Sequence, residues 1–245
     1  MEQQHEPRWI TVFWTGDSTV KDNKAATYPQ TGIAQGMERY FHQSVHVLNL
    51  AENGRSTKSF LDEKRFEPVL DLAAPGDYVF IQFGHNDEKA EDPLRYTDPH
   101  TTYKENLRYM VEESRKRGAI PLLITPVARR RFEKGVFVPG SHGAYPGAMM
   151  ELAEELGVEC VDLTRASEEL LAERGERETE KWFMNLAPGE YPRTPYAAGQ
   201  EDNTHLVYAG AVEMAGLLAR ELKKRQAVFG CLLCPEFLEE SPTNK

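Results

Sequence analysis

The sequence predicts a three-layer α/β/α protein built on one doubly wound, five-stranded parallel sheet. Three observations carry that expectation. Five short apolar runs recur along the 245 residues, helical patterns lie between them, and polar clusters follow the first three runs. The runs are residues 9–14, 45–50, 78–83, 120–124 and 158–161. Each is rich in Val, Ile and aromatic residues, and most are continuous rather than alternating. A strand covered by helices on both faces reads this way.

The helices follow from periodicity. Over residues 101–116, Tyr103, Leu107, Met110 and Val111 form one stripe, and Gly118 suits the cap beyond it. Ala148, Met149, Leu152, Ala153 and Leu156 repeat the pattern before Gly157, and Val207, Ala211, Met214, Leu218 and Leu222 mark the last helix. Strands alternating with helices imply βαβ units with right-handed crossovers. Two segments stand apart. Residues 187–203 hold Pro188, Gly189, Pro192, Pro195 and Gly199, and so form neither a long helix nor a central strand. Long irregular loops of this kind are often functional. The tail from residue 227 has no assignable place. With no repeat or interdomain linker, the expectation is a single domain over residues 1–245, its core at 9–225 and a tail of unassigned role at 226–245.

Composition narrows the class. A hydrophobic fraction of 40% with 28% charged residues fits a globular chain and not a disordered one. No stretch approaches the roughly 20 apolar residues of a membrane span. The first nine residues are polar and show no cleavage-site pattern, so the expected compartment is the cytoplasm. A net charge of −10 argues against a nucleic-acid or anionic-membrane partner. Cys160, Cys231 and Cys234 are too few for a disulfide framework. Cys231 and Cys234 have redox or metal half-site spacing but no second pair, and are expected to be inert thiols. His5, His42, His46, His100 and His142 show no metal-ligand spacing, and no metal or cofactor is expected.

Open parallel sheets place ligands beyond the carboxyl ends of their strands. There lie Gly16-Asp17-Ser18-Thr19, then Asn53-Gly54-Arg55-Ser56, then Gly84-His85-Asn86-Asp87, while Asp202-Asn203-Thr204-His205 opens the last helix. Acyl transfer by a serine needs a hydroxyl, an imidazole to take its proton and a carboxylate to fix the imidazole's tautomer. Ser18, at a strand-to-helix turn, can expose its hydroxyl at a helix N-terminus. Asp202 and His205, three apart, can meet within one turn. Gly54 offers a backbone N–H where a side chain would block approach, Asn86 a side-chain amide, and Ser18 its own amide, as donors to an oxyanion. Taken singly, Ser18 also reads as a helix cap, Asp202 as an N-cap, His205 as a solvated histidine, Gly54 as a turn residue and Asn86 as an Asx turn.

The four clusters, in this order, resemble the signature blocks of the SGNH (GDSL-like) hydrolase superfamily, and more closely the rhamnogalacturonan acetylesterase family. The approach loop Leu186-Ala187-Pro188-Gly189-Glu190-Tyr191-Pro192 resembles that family as well. Thr19 stands where the superfamily's namesake motif has leucine, as is typical of this family. The resemblance implies a flavodoxin-like SGNH hydrolase fold, Ser18 as nucleophile, His205 as base oriented by Asp202, and an oxyanion hole of Ser18, Gly54 and Asn86. It also implies a carbohydrate O-acetylesterase needing no cofactor, acting on acetylated rhamnogalacturonan (pectin) oligosaccharides. Arg55 and the run Arg129-Arg130-Arg131 are candidates to pair with uronate carboxylates, although charge runs are more often solvated. His85 is a cleft-lining or packing residue. Tyr191, Tyr196 and Trp182 are candidates to stack on sugar rings or simply to pack the loop. Two other readings stand beside this one. They are a lipase-like or thioesterase SGNH hydrolase on acyl chains, which needs a longer apolar groove, and a non-catalytic carbohydrate-binding module.

Overall fold

A computed structural model describes residues 9–239 of the protein. Its strands β1 (Ile10–Gly16), β2 (Val45–Asn49), β3 (Tyr78–Gln82), β4 (Ile120–Ile124) and β5 (Glu159–Val161) form one parallel sheet in the order β2-β1-β3-β4-β5. The order reverses at β1, so the crevice beyond β1 and its neighbours is where such a sheet binds ligands.

The helices, in chain order, are α1 (Ile33–Met37), α2 (Thr57–Asp62), α3 (Glu67–Leu72), α4 (Thr102–Lys116), α5 (Tyr145–Leu156), α6 (Leu163–Thr179), α7 (Tyr208–Lys224), α8 (Gln226–Phe229) and α9 (Pro235–Glu239). Alternation along the strands divides the apolar residues between two cores. Val12, Trp14, Tyr78, Phe80, Leu122 and Ile124 pack with α1, α6, α7 and α8. Phe13, Val79, Ile81 and Leu123 pack with α2, α3, α4 and α5. Burial on both faces is why the strands read as continuous apolar runs. The α/β class and the five-stranded parallel sheet therefore agree with the sequence, and each strand lies within two residues of its expected bounds.

Two elements depart from expectation. Helix α6 shows no strong apolar stripe because only Leu163, Leu170 and Leu171 of its apolar residues reach the core. Asp162 starts it by accepting from the Arg165 amide at 3.0 Å. The tail does not stop contributing at residue 225. Phe229, Leu232 and Leu233 are buried in the α1–α7 core, the His42 amide donates to the Leu232 carbonyl at 2.8 Å, and the Cys234 amide donates to Tyr40 at 2.8 Å. Cys160, Cys231 and Cys234 are free thiols. The leader reading at residues 1–8 and the last six residues of the tail lie outside the described residues.

One small sheet matters more than its size. Gln30–Thr31 pairs antiparallel with Leu206–Val207, joining the chain before α1 to the chain before α7. Among the described residues, no helix is long and apolar enough to cross a membrane.

Candidate active site

β1 ends at Gly16 and the chain turns at once. The Asp17 carbonyl accepts from the amides of Val20 (3.2 Å) and Lys21 (3.1 Å). Its carboxylate Oδ1 accepts from the Thr19 amide (2.9 Å) and hydroxyl (2.8 Å), an Asx turn that fixes Ser18 between them. Burial raises the Asp17 carboxyl, but His85 and the two Thr19 bonds outweigh it and hold the group below its ordinary value. No α-helix starts here, since α1 begins only at Ile33. The expected helix N-terminus at Ser18 is thus corrected to a self-contained turn.

Asp202 and His205 form a bend, not the opening of a helix. The strand Leu206–Val207 intervenes and α7 begins at Tyr208. Asp202 Oδ1 accepts from the Thr204 amide (2.8 Å) and the His205 amide (3.0 Å), while Oδ2 accepts from Gln200 Nε2 (3.2 Å) and lies 2.7 Å from His205 Nδ1. His205 Nε2 lies 2.8 Å from Ser18 Oγ. Burial raises the Asp202 carboxyl, yet the hydrogen bond and charge of His205 with the two amides lower it further, so its net position is below the ordinary range. An ionised Asp202 holds the proton on Nδ1 and leaves Nε2 able to accept from the serine hydroxyl.

The bend is braced from behind. The Asp202 amide donates to Asn185 Oδ1 (2.9 Å), and Asn185 Nδ2 and Arg130 Nη1 both donate to Asn203 Oδ1 at 2.9 Å. Arg130 also donates to the Glu176 carbonyl (2.6 Å) and to Thr179 Oγ1 (3.2 Å), and its amide donates to the Asn203 carbonyl (2.9 Å).

The turns beyond β2 and β3 are stitched to the first. The Glu52 amide donates to the Gly16 carbonyl at 3.1 Å. Gly54 has φ +74°, a left-handed conformation that glycine adopts without strain. Asn86 Nδ2 donates to the Arg55 carbonyl (3.1 Å), and Asn86 Oδ1 accepts from Arg95 Nη1 (3.2 Å), which leaves the second amide hydrogen of Asn86 available. Buried Asp87 ties this turn to the start of α2 by accepting from the Thr57 amide (3.0 Å) and from Thr97 Oγ1 (2.9 Å). Gly84 has φ +153°, and a Cβ there would stand 2.6 Å from the Pro126 ring.

The expected substrate-facing residues are less uniform. Arg55 donates from Nε (3.0 Å) and Nη2 (2.9 Å) to Glu63 Oε2, and from Nη1 to the Asn53 carbonyl (2.7 Å). His85 is a packing residue, 4% exposed, with its ring edge-on to His142 at 4.4 Å and Nδ1 3.4 Å from Asp17 Oδ2. Burial pushes its imidazole down to about 4. Tyr191 is half-buried and meets Tyr28 edge-on at 5.6 Å, and Tyr196 donates its hydroxyl to Gln30 at 3.4 Å. Trp182 belongs to the buried core, which removes it from sugar stacking. The Arg129–Arg131 run is not a free basic patch. Arg129 pairs with Glu88 at 2.5 Å, Arg130 is the buried brace and Arg131 pairs with Glu133 at 3.0 Å. Asn185 and Arg95 are isolated polar residues in loops and carry no motif in the sequence. Among the described residues, no group of three His, Cys, Asp or Glu side chains could hold a metal ion.

A hydroxyl bonded to an imidazole bonded to a carboxylate, at the carboxyl edge of a parallel sheet, defines the class: an α/β protein that holds in line the three groups a serine-dependent acyl transfer requires. The family follows from its relatives. Residues 15–211 match the GDSL-like Lipase/Acylhydrolase family, and the chain belongs to it and is a carboxylic ester hydrolase. It is 38% identical to rhamnogalacturonan acetylesterase RhgT of Bacillus subtilis (strain 168) over 88% of this chain and 90% of that protein. It is also 38% identical to the probable rhamnogalacturonan acetylesterase YesY of the same organism, over 87% of this chain and 92% of that one. The crystal structure of the Bacillus subtilis protein YxiM superposes with a TM-score of 0.76 at 25% identity, covering 90% of this chain and 58% of that longer one.

Proposed function

We propose that this protein removes O-acetyl groups from carbohydrate, most specifically from acetylated rhamnogalacturonan oligosaccharides, through an acetyl-enzyme on Ser18. The observation that carries the chemistry is the unbroken line from Ser18 Oγ through His205 to Asp202, at 2.8 and 2.7 Å. Identity with RhgT and YesY supports the substrate. His205 Nε2 takes the hydroxyl proton as Ser18 Oγ attacks the acetyl carbonyl. The oxyanion that forms is met by the amides of Ser18 and Gly54 and by Asn86 Nδ2, each such donor contributing about 10²–10³ in rate. Protonated His205 hands its proton to the departing sugar oxygen. Water, deprotonated by the same nitrogen, then attacks the acetyl-enzyme, and acetate leaves Ser18 with its proton restored.

Substrate contact falls to Tyr191 and Arg55. Tyr191 presents an aromatic ring from the loop that precedes Asp202. Arg55 would exchange Glu63 for a sugar carboxylate, a cheap exchange because a half-exposed ion pair is worth at most about 1 kcal/mol. His85 lies beneath the cleft and supports Asp17 rather than touching sugar.

The test is a substrate panel. Acetate release should be fastest from acetylated rhamnogalacturonan oligosaccharides, slower from acetylated xylan, and slowest for octanoyl esters. Preference for octanoyl over acetyl would overturn the sugar-deacetylase reading in favour of a lipase-like enzyme. Wild-type turnover by Ser18→Ala on p-nitrophenyl acetate would overturn the acetyl-enzyme.

A further inference from the structure

Asn86 can serve an oxyanion only if its nitrogen, not its oxygen, faces the cleft. Two neighbours decide that. Arg95 Nη1 donates to Asn86 Oδ1 at 3.2 Å, and the Arg55 carbonyl accepts from Asn86 Nδ2 at 3.1 Å. Turning the amide over would set its nitrogen against a guanidinium that only donates and its oxygen against a carbonyl that only accepts. Arg95 also lies close to Gly54. Its Nη1 stands 3.9 Å from the place a Cβ on Gly54 would take. One cation therefore bonds to Asn86 and lies near Gly54, the two residues assigned to the oxyanion beside Ser18.

Arg95 is itself fixed. Its Nε donates to Asp92 Oδ2 at 2.6 Å, and the Asp92 carbonyl accepts from the amides of Arg95 (3.0 Å) and Tyr96 (2.8 Å). Asp92 Oδ1 accepts from the Leu94 amide at 3.0 Å, so both carboxylate oxygens shape the turn that aims the guanidinium.

We infer that Arg95 is a positioning residue for ester hydrolysis, acting through Asn86. It locks the amide with Nδ2 toward the reacting carbonyl, and its charge polarises that amide so that the remaining N–H donates more strongly. The inference rests on the assignment of Asn86 as an oxyanion donor. The gain grows as the carbonyl oxygen becomes negative, so it acts on the transition state and belongs in kcat rather than KM. The Arg95 side chain is 31% exposed, and water screens part of its charge. The effect is accordingly smaller than that of Asn86 itself.

The experiment is a double-mutant cycle on p-nitrophenyl acetate with Arg95→Met, Asn86→Ala and the pair, accompanied by thermal unfolding of each. Asn86→Ala should lower kcat by about 10²–10³. Arg95→Met should lower kcat about tenfold with KM within about twofold, and in the Asn86→Ala background it should cost no more than about twofold further. Arg95→Lys should recover part of the loss, because an ammonium can still donate to Oδ1 and carry the charge. If Arg95→Met does not fold, Arg95→Gln takes its place in the cycle. A full tenfold loss persisting in the Asn86→Ala background, or a loss confined to KM, overturns the role of Arg95 while leaving Asn86 in place. Wild-type kcat in Asn86→Ala removes the oxyanion assignment and this inference together.

Discussion

Asp202 and His205 are joined twice: Oδ2 lies 2.7 Å from the imidazole Nδ1, and Oδ1 accepts from the His205 backbone amide at 3.0 Å. One carboxylate therefore shapes the bend and sets the tautomer of the imidazole that the bend carries. This local unit reaches across 187 positions to Ser18.

Asp202→Asn separates those two duties. The amide oxygen can still accept from the backbone, but an amide nitrogen facing Nδ1 favours the wrong tautomer. Thermal unfolding should shift little, while kcat on p-nitrophenyl acetate should fall by about 10³–10⁴. A loss of stability with kcat retained would assign Asp202 to the bend alone.

His85 sets an acid limit on stability. Its buried imidazole is held at about 4, below the ordinary 6.5, so the unfolded chain takes up a proton before the folded one does. The contribution is whole above pH 6.5 and is lost as pH falls through that window. Between pH 7 and pH 5 this group should cost about 2 kcal/mol in urea unfolding. His85→Gln, which cannot titrate, should lose less stability over the same interval, and an unchanged pH dependence would count against the assignment.

Arg130→Met leaves Asn203 Oδ1 with Asn185 alone and abandons the Glu176 carbonyl. Removing so buried a hydrogen-bonded charge should cost about 2–4 kcal/mol in unfolding free energy. It should also lower kcat more than it raises KM, since the loosened bend carries Asp202 and His205. Measured kcat equal to wild type would confine Arg130 to stability.

Gly84→Ala introduces a Cβ 2.6 Å from the Pro126 ring, at a φ of +153° that side chains rarely adopt. Loss of about 2–4 kcal/mol is expected from strain and overpacking, with reduced kcat because Asn86 follows two residues later. Near-wild-type unfolding would show that the turn can shift without harm.

The sheet was legible because both of its faces are buried, so its strands announce themselves as apolar runs such as Tyr78–Gln82. The polar clusters were legible because they follow directly on the ends of β1, β2 and β3, at the carboxyl edge of the sheet. What escaped notice lacked any periodic or motif signal. Helix α6 carries eight charged residues among its 17 and few apolar ones, and the tail residues Phe229, Leu232 and Leu233 are too few to mark a pattern. Arg95 and Asn185 are single side chains whose meaning lies in their distant partners. The Arg129–Arg131 run was a candidate to meet an acidic sugar, yet Arg129 and Arg131 pair with Glu88 and Glu133, and Arg130 is bonded to Asn203, Thr179 and the Glu176 carbonyl.

The two-rung pairing of Gln30–Thr31 with Leu206–Val207 has a kinetic side. Contacts between segments so far apart in sequence carry a high loop-closure cost and form late in folding. His205 directly precedes one of the paired segments, so the clasp holds it against the part of the chain that carries Ser18. During refolding, recovery of esterase turnover should trail the return of helical circular dichroism, so catalysis in this protein doubles as a reporter of its final closure.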